Sequence, residues 1–157
     1  MKSMVFAGLC LAALTTASAA SAANPQLEAP IRNFIDAFNK NDIKAAAATH
    51  LANVSIIDEV PPYIWRGPTA FSDWVADLTK NDAATGISKE HVTLGPVTRE
   101  LVTGSSAYVI VAATYSFQQK GVAMHEPAQM TFAMRKDNNR GWKIAGWTWT
   151  GPDPTPK

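Results

Sequence analysis

The hydrophobic period changes once along this chain, and that change limits the folds open to it. Up to Gly86 most apolar residues recur at helical spacing, whereas from His91 onward they alternate as strands do. Leu27, Ile31, Phe34, Ile35 and Phe38 make one stripe, and Phe71, Trp74, Val75 and Leu78 make another. Asn24-Pro25 supplies a cap and a first-turn proline. Pro30 lacks an N–H and crowds the preceding turn, so the main first helix is expected from near Pro30 to Asn39–Asn41. Asp42 caps a second, short helix through about His50, with Ile43, Ala46, Ala47 and Leu51 inward. Gly67-Pro68 opens a third, which frays at Asn81-Asp82.

Strand signals fill the rest. Val54–Asp58 is a β-branched run, Pro61-Pro62 turns it, and Tyr63–Arg66 returns. Beyond Gly86 the strands read His91–Val102 (bulged or broken at Gly95-Pro96), Ala107–Gln118, Met124–Lys136 and Trp142–Thr150. Helices first and an antiparallel meander after them give an α+β class, with three N-terminal helices packed on one face of a strongly curved sheet. The domain spans 24–150, and the tail 151–157, with three prolines, reads as a loose end. Several strands are apolar on both parities. Val109, Val111, Tyr115 and Phe117 oppose Tyr108 and Ile110, and Trp142 and Ile144 oppose Trp147 and Trp149. A second apolar face needs cover, and a homodimer through the outer sheet face is the simplest one.

The first residues place the rest outside the cytoplasm. Met1-Lys2-Ser3, an apolar run to Leu14 and the small-residue tract Ala17–Ala23 read as a secretory signal peptide over 1–23, implying a periplasmic or secreted domain. Val5–Leu14 is too short to span a bilayer, so no membrane partner is expected after cleavage. Removing 1–23 from the 157 residues leaves 134, enough for one domain with its own core. Lys2 leaves with the signal, so 13 basic and 13 acidic residues remain, and no field recruits nucleic acid. Cys10, the single cysteine, leaves too, which removes disulfides and thiol chemistry. No H-x-H or H-x-x-x-H pattern joins His50, His91 and His125, so no metal is expected. No phosphate-binding glycine loop or G-x-S-x-G elbow occurs either, and no cofactor is implied.

Ala37-Phe38-Asn39-Lys40-Asn41-Asp42, the run Val54–Glu59, Arg66-Gly67-Pro68 and Trp142-Lys143-Ile144 followed by Trp147 stand in an order that resembles the nuclear-transport-factor-2-like superfamily. The likeness is to its SnoaL-like and ketosteroid-isomerase-like members, over about residues 27–150. It implies a cystatin-like cone, a mostly apolar pocket at the open end and, commonly, a dimer through the outer sheet. Counted back from Gly67, Asp58 falls where ketosteroid isomerases place their proton-shuttling aspartate. The family's enolate-binding tyrosine is matched by Phe34. Its late-strand acid has only Glu126 as a counterpart, with Gln129 and Thr131 further on. The resemblance therefore implies a base without identified oxyanion donors. A related dehydratase family uses two histidines with an aspartate and tyrosines, which makes His91 and His125 weak catalytic candidates beside Tyr63.

Each candidate has a plainer alternative. Asp58 is either a pocket base or a turn acid bonding N–H groups near Pro61. Strand alternation puts Asp58 and Glu59 on opposite faces, so they form no dyad. Phe34, Tyr63, Trp65, Trp74, Tyr115, Met130 and Trp147 are ligand-binding candidates, and also ordinary core. Three functions follow: an exported binder of a small apolar or aromatic molecule, a cofactor-free isomerase, dehydratase or cyclase using Asp58, and a protein-interaction module. The first expects a pocket above ~300 Å³ with few polar groups, and a closed, filled cone would exclude the first two.

Overall fold

A computed structural model describes residues 24–137 and 141–157. The signal peptide expected over 1–23 lies outside the described residues. Helix α1 (Pro25–Asn39) begins at Pro25, five residues before the expected start. Asn24 caps it by accepting from the Gln26 N–H at 3.0 Å. Pro30 is carried inside the helix. The carbonyl it deprives of a partner belongs to Gln26, which is exposed, so water can serve it. Helix α2 (Ile43–Ala48) is capped by Asp42, which accepts from the Ala45 N–H. It stops before His50, which opens strand β1 (His50–Ile57). Strand β2 (Ile64–Gly67) returns antiparallel to β1.

Helix α3 (Ala70–Thr85) runs on past the expected fray point to Gly86, whose φ of 76° ends it in the left-handed region. Strands β3 (Ile87–Thr103), β4 (Ser106–Gln119), β5 (Val122–Asp137) and β6 (Gly141–Thr150) follow as a meander. β3 is continuous, with its register shifted around Gly95-Pro96. β7 (Thr155–Pro156) ends the chain. Among the described residues these seven strands form one sheet, six in the order β2-β1-β6-β5-β4-β3 and β7 beside β5, antiparallel except for β1 with β6. The three helices pack on its inner face. Phe34, Leu27, Ile31, Phe132 and Ile144 are each no more than 1% exposed at the centre.

Two departures from the expected pattern shape the open end of the cone. Ala133 pairs with Gly146, but Met134 pairs with Ile144, so Ala145 is an extra residue in β6. That bulge resets the alternation. Ile144, Trp147 and Trp149 face Met134, Phe132 and Met130, all on the inner face of β5. The tryptophans expected on opposite faces of β6 are therefore on one, and β6 supplies no ground for an outer apolar face. On the outside, the paired Leu101 and Tyr108 stay exposed. Second, the tail is held rather than loose. Thr155–Pro156 pairs with His125 and Met124, on the stretch of β5 beyond the reach of β6, and the Lys157 N–H donates to the Ala123 carbonyl at 2.9 Å.

Candidate functional site

The helices and the inner sheet face leave a cavity of about 250 Å³ at the open end. Phe34 lies beneath it, edge-on to Phe71 and Trp74 and 5.7 Å from Trp147, ring centre to ring centre. Trp74 and Trp147 meet at 86°. Phe38, Tyr115, Phe117, Met130 and Trp149 complete the apolar wall. The cavity falls short of the ~300 Å³ expected of a binding pocket. Asp58, Glu59, Asp82, Glu90 and Glu126 all border it, and among the described residues no Lys, Arg or His does.

Asp58 stands between two acidic clusters. Its Oδ2 accepts from Trp74 Nε1 at 2.6 Å and its Oδ1 from the Glu59 N–H at 2.7 Å. The turn-acid reading is thus partly right, though the N–H comes from Glu59 and not from near Pro61. Burial outweighs both hydrogen bonds and pushes the Asp58 carboxyl up. Strand alternation fails for its neighbour, because β1 ends at Ile57. Asp58 and Glu59 both border the cavity.

The first cluster joins the end of α3 to β3 and β4. Tyr115 Oη donates to Glu90 Oε2 at 2.8 Å. Asp82 is pushed up to about 7 by burial, then by the charge of Glu90 and a hydrogen bond with it. Its Oδ1 is buried with no partner. Two adjacent carboxyls that share a proton behave this way. Burial and Glu90 likewise push the Tyr115 hydroxyl up, so it stays neutral. The second cluster joins the β1–β2 loop, β5 and the tail. Glu126 is 2% exposed and pushed up to about 7, first by burial and then by Glu59, Asp58 and Asp153. Its Oε1 accepts from Trp149 Nε1 at 2.6 Å. Among the described residues nothing donates to its Oε2. Glu59, raised by burial and by Asp58, takes a hydrogen bond from the Gly151 N–H. A Cβ on Gly151 would lie 1.9 Å from Glu126 Oε1, so only glycine lets the tail cross there.

Of the expected residues, Asp58, Phe34, Trp74, Tyr115, Met130 and Trp147 meet at the cavity. The others do not. Tyr63 is 58% exposed at the tip of the β1–β2 turn. Trp65 is buried outside the cavity, where its Nε1 donates to Asp77 and clamps β2 to α3. His91 is exposed on β3. His125 has the opposite parity to Glu126 on β5, is half-buried, and leaves Nδ1 without a partner. Sequence reasoning missed Asp82 and Glu90 and undervalued Trp149 and Glu126.

The sequence profile of the SnoaL-like domain matches residues 27–148. The chain belongs to the SnoaL-like family. Solved structures with the same fold include a ketosteroid isomerase-like protein from Erwinia carotovora atroseptica SCRI1043, 21% identical with a TM-score of 0.63, covering 82% of this chain and 95% of that one. A nuclear transport factor 2-like superfamily protein from Salmonella enterica serovar Typhimurium LT2 is 19% identical, with a TM-score of 0.64 over 80% of this chain and 87% of its own. The type 3 hexachlorocyclohexane dehydrochlorinase of Novosphingobium barchaimii LL02 is 13% identical, with a TM-score of 0.68 over 83% and 89%. No curated protein matches the sequence. At these identities the structural likeness speaks for the fold, which is the nuclear-transport-factor-2-like cone.

Proposed function

We propose that this SnoaL-like protein binds a small molecule with a flat apolar body in its cone and moves a proton on it without a cofactor. Asp58 is the general base, and the proton held between Asp82 and Glu90, backed by Tyr115, is the general acid. One observation carries the reading. A carboxylate raised by burial and oriented by Trp74 borders the same aromatic cavity as a carboxyl pair that keeps a proton near neutral pH. A base and an acid with separate environments are what proton shuttling needs. The acid supplies what Phe34 lacks, since a neutral carboxyl can donate to a developing oxyanion. Isomerisation, dehydration and elimination all begin with such a step. The related structures include an isomerase-like protein and a dehydrochlorinase.

A base in an apolar pocket can be tested before the natural substrate is known. 5-Nitrobenzisoxazole opens to a coloured cyanophenolate when a base removes its ring C–H. The protein should accelerate this well beyond acetate at equal concentration. Asp58→Asn should lose at least a hundredfold while circular dichroism stays unchanged. A rate no better than acetate, or one indifferent to Asp58→Asn, reduces the protein to a binder. Unfolding of that variant would make Asp58 a structural acid.

A further inference from the structure

Nothing in the general base reading says what charge the ligand carries. The cavity wall does. Five carboxyls border it and, among the described residues, no basic side chain does, so its ionisable groups favour a cation over an anion. Glu126 makes the preference specific. It is 2% exposed, its Oε1 is fixed by Trp149, and among the described residues its Oε2 has no donor. A carboxyl at the cavity wall, with one oxygen held by an indole and the other taken by no protein donor, is a place for a ligand's N–H. Glu59 borders the same end of the cavity, with Asp58 and Asp153 within electrostatic reach of both glutamates. Trp149 and Trp147 add indole faces there, which attract organic cations. Among the described residues no three acids or histidines converge closely enough to hold a metal ion. The complementary cation is thus organic.

We infer that the ligand carries an ammonium group, seated between Glu126 and Glu59 against Trp149, with its apolar body lying over Phe34 and Trp74 toward Asp58. The tail closes this end: Pro154 borders the cavity, and β7 holds the segment in place. The inference rests on the proposed small-molecule cavity but not on catalysis there. The ammonium lies at the far cluster from Asp82, Glu90 and Tyr115, so the shared proton is left in place. Its charge favours the ionised form of Glu126, and binding therefore releases a proton around neutral pH.

Benzylamine, benzyl alcohol and benzoate share one ring and differ in charge. Titrated into the full protein at pH 7.5 and followed by tryptophan fluorescence and calorimetry, benzylamine should bind at least tenfold more tightly than the alcohol, and benzoate should not bind. Benzylamine affinity should rise from pH 6 to pH 8, with heats that depend on the buffer's own protonation enthalpy. The groups facing the ammonium in that range are Glu126, Glu59, Asp58 and Asp153. Glu126→Gln should erase the preference for the amine. Glu59→Gln, at a more exposed position, should weaken it and guards against misfolding of the first variant. Equal or tighter binding of the alcohol, binding of benzoate, or no binding of benzylamine overturns the inference. Base catalysis of 5-nitrobenzisoxazole could survive each of those results, and amine binding could survive its absence.

Discussion

At the scale of single residues, the decisive contact is the 2.6 Å hydrogen bond from Trp74 Nε1 to Asp58 Oδ2. Burial raises the Asp58 carboxyl, and this bond pulls it partly back. Trp74→Phe keeps the ring against Phe34 and Trp147 but removes the donor. A hydrogen bond to a charged group is worth roughly 1.5–3 kcal/mol, so the loss should move the midpoint of the pH–rate profile up by about one to two pH units. The rate above that midpoint should hold or rise, because a more basic carboxylate is the better base. A midpoint that stays put or moves down would show that the indole does not set Asp58. Asp58 was within reach of the sequence only through the family resemblance, which its distance from Gly67 carries. Asp82 and Glu126 were also within reach. Asp82 falls four residues after Leu78 on the α3 stripe, and Glu126 shares its parity with Met130, Phe132 and Met134. A charged residue on an apolar stripe is easily read as its end, and only the cavity shows that both stripes continue through an acid.

At the scale of elements, the extra Ala145 decides what the cone contains. Without it, alternation would put Trp147 and Trp149 on the face opposite Ile144, and two walls of the cavity would be gone. Gly146 lets the bulge lie flat on β1, since a Cβ there would sit 2.8 Å from the Ser55 carbonyl oxygen. Gly146→Ala must therefore push β1 away from β6, at a cost of about 1–3 kcal/mol. β1 ends just before Asp58, so the same shift should also slow base catalysis several-fold. Denaturant midpoints and the benzisoxazole rate, measured together, check this; a variant unchanged in both would mean that β1 is free to adjust. The order of helices and strands was legible because each run has its own period. The bulge was not, because a one-residue insertion leaves the composition of β6 unchanged and shows only in its pairing with β5. The tail was misread for a similar reason. Its prolines argue against a central strand, but β7 needs only two residues beside the uncovered start of β5.

At the scale of the whole molecule, the buried acids should set how stability varies with pH, and their sign is opposite to the common one. Glu126 and Asp82 hold protons to about 7 when folded, against ordinary values of 4.5 and 3.8. Between those limits the folded state binds more protons than the unfolded one, so stability falls as pH rises. Asp58 and Glu59, also raised, act in the same direction. His50 opposes them. Packed between Phe34 and Phe71 and lowered by burial to about 4, it stays neutral when folded, so its contribution is lost as pH falls from 6.5 toward 4. One histidine offsets part of the effect of several acids below pH 6.5, and nothing offsets them from there to about 7.5. The curve should therefore decline gently from pH 5, fall more steeply near neutrality and level off by pH 8. The acids border a cavity that solvent can enter, which screens them, so the total is on the order of 2–4 kcal/mol, a Tm lower by roughly 5–10 °C at pH 8 than at pH 5. Glu126→Gln, which cannot ionise, should remove a sizeable part of that fall and melt higher than the parent at pH 8. A Tm that rises from pH 5 to pH 8 would mean that these carboxyls are ionised in the folded protein, and the neutral acid assigned to the cavity would be lost with them.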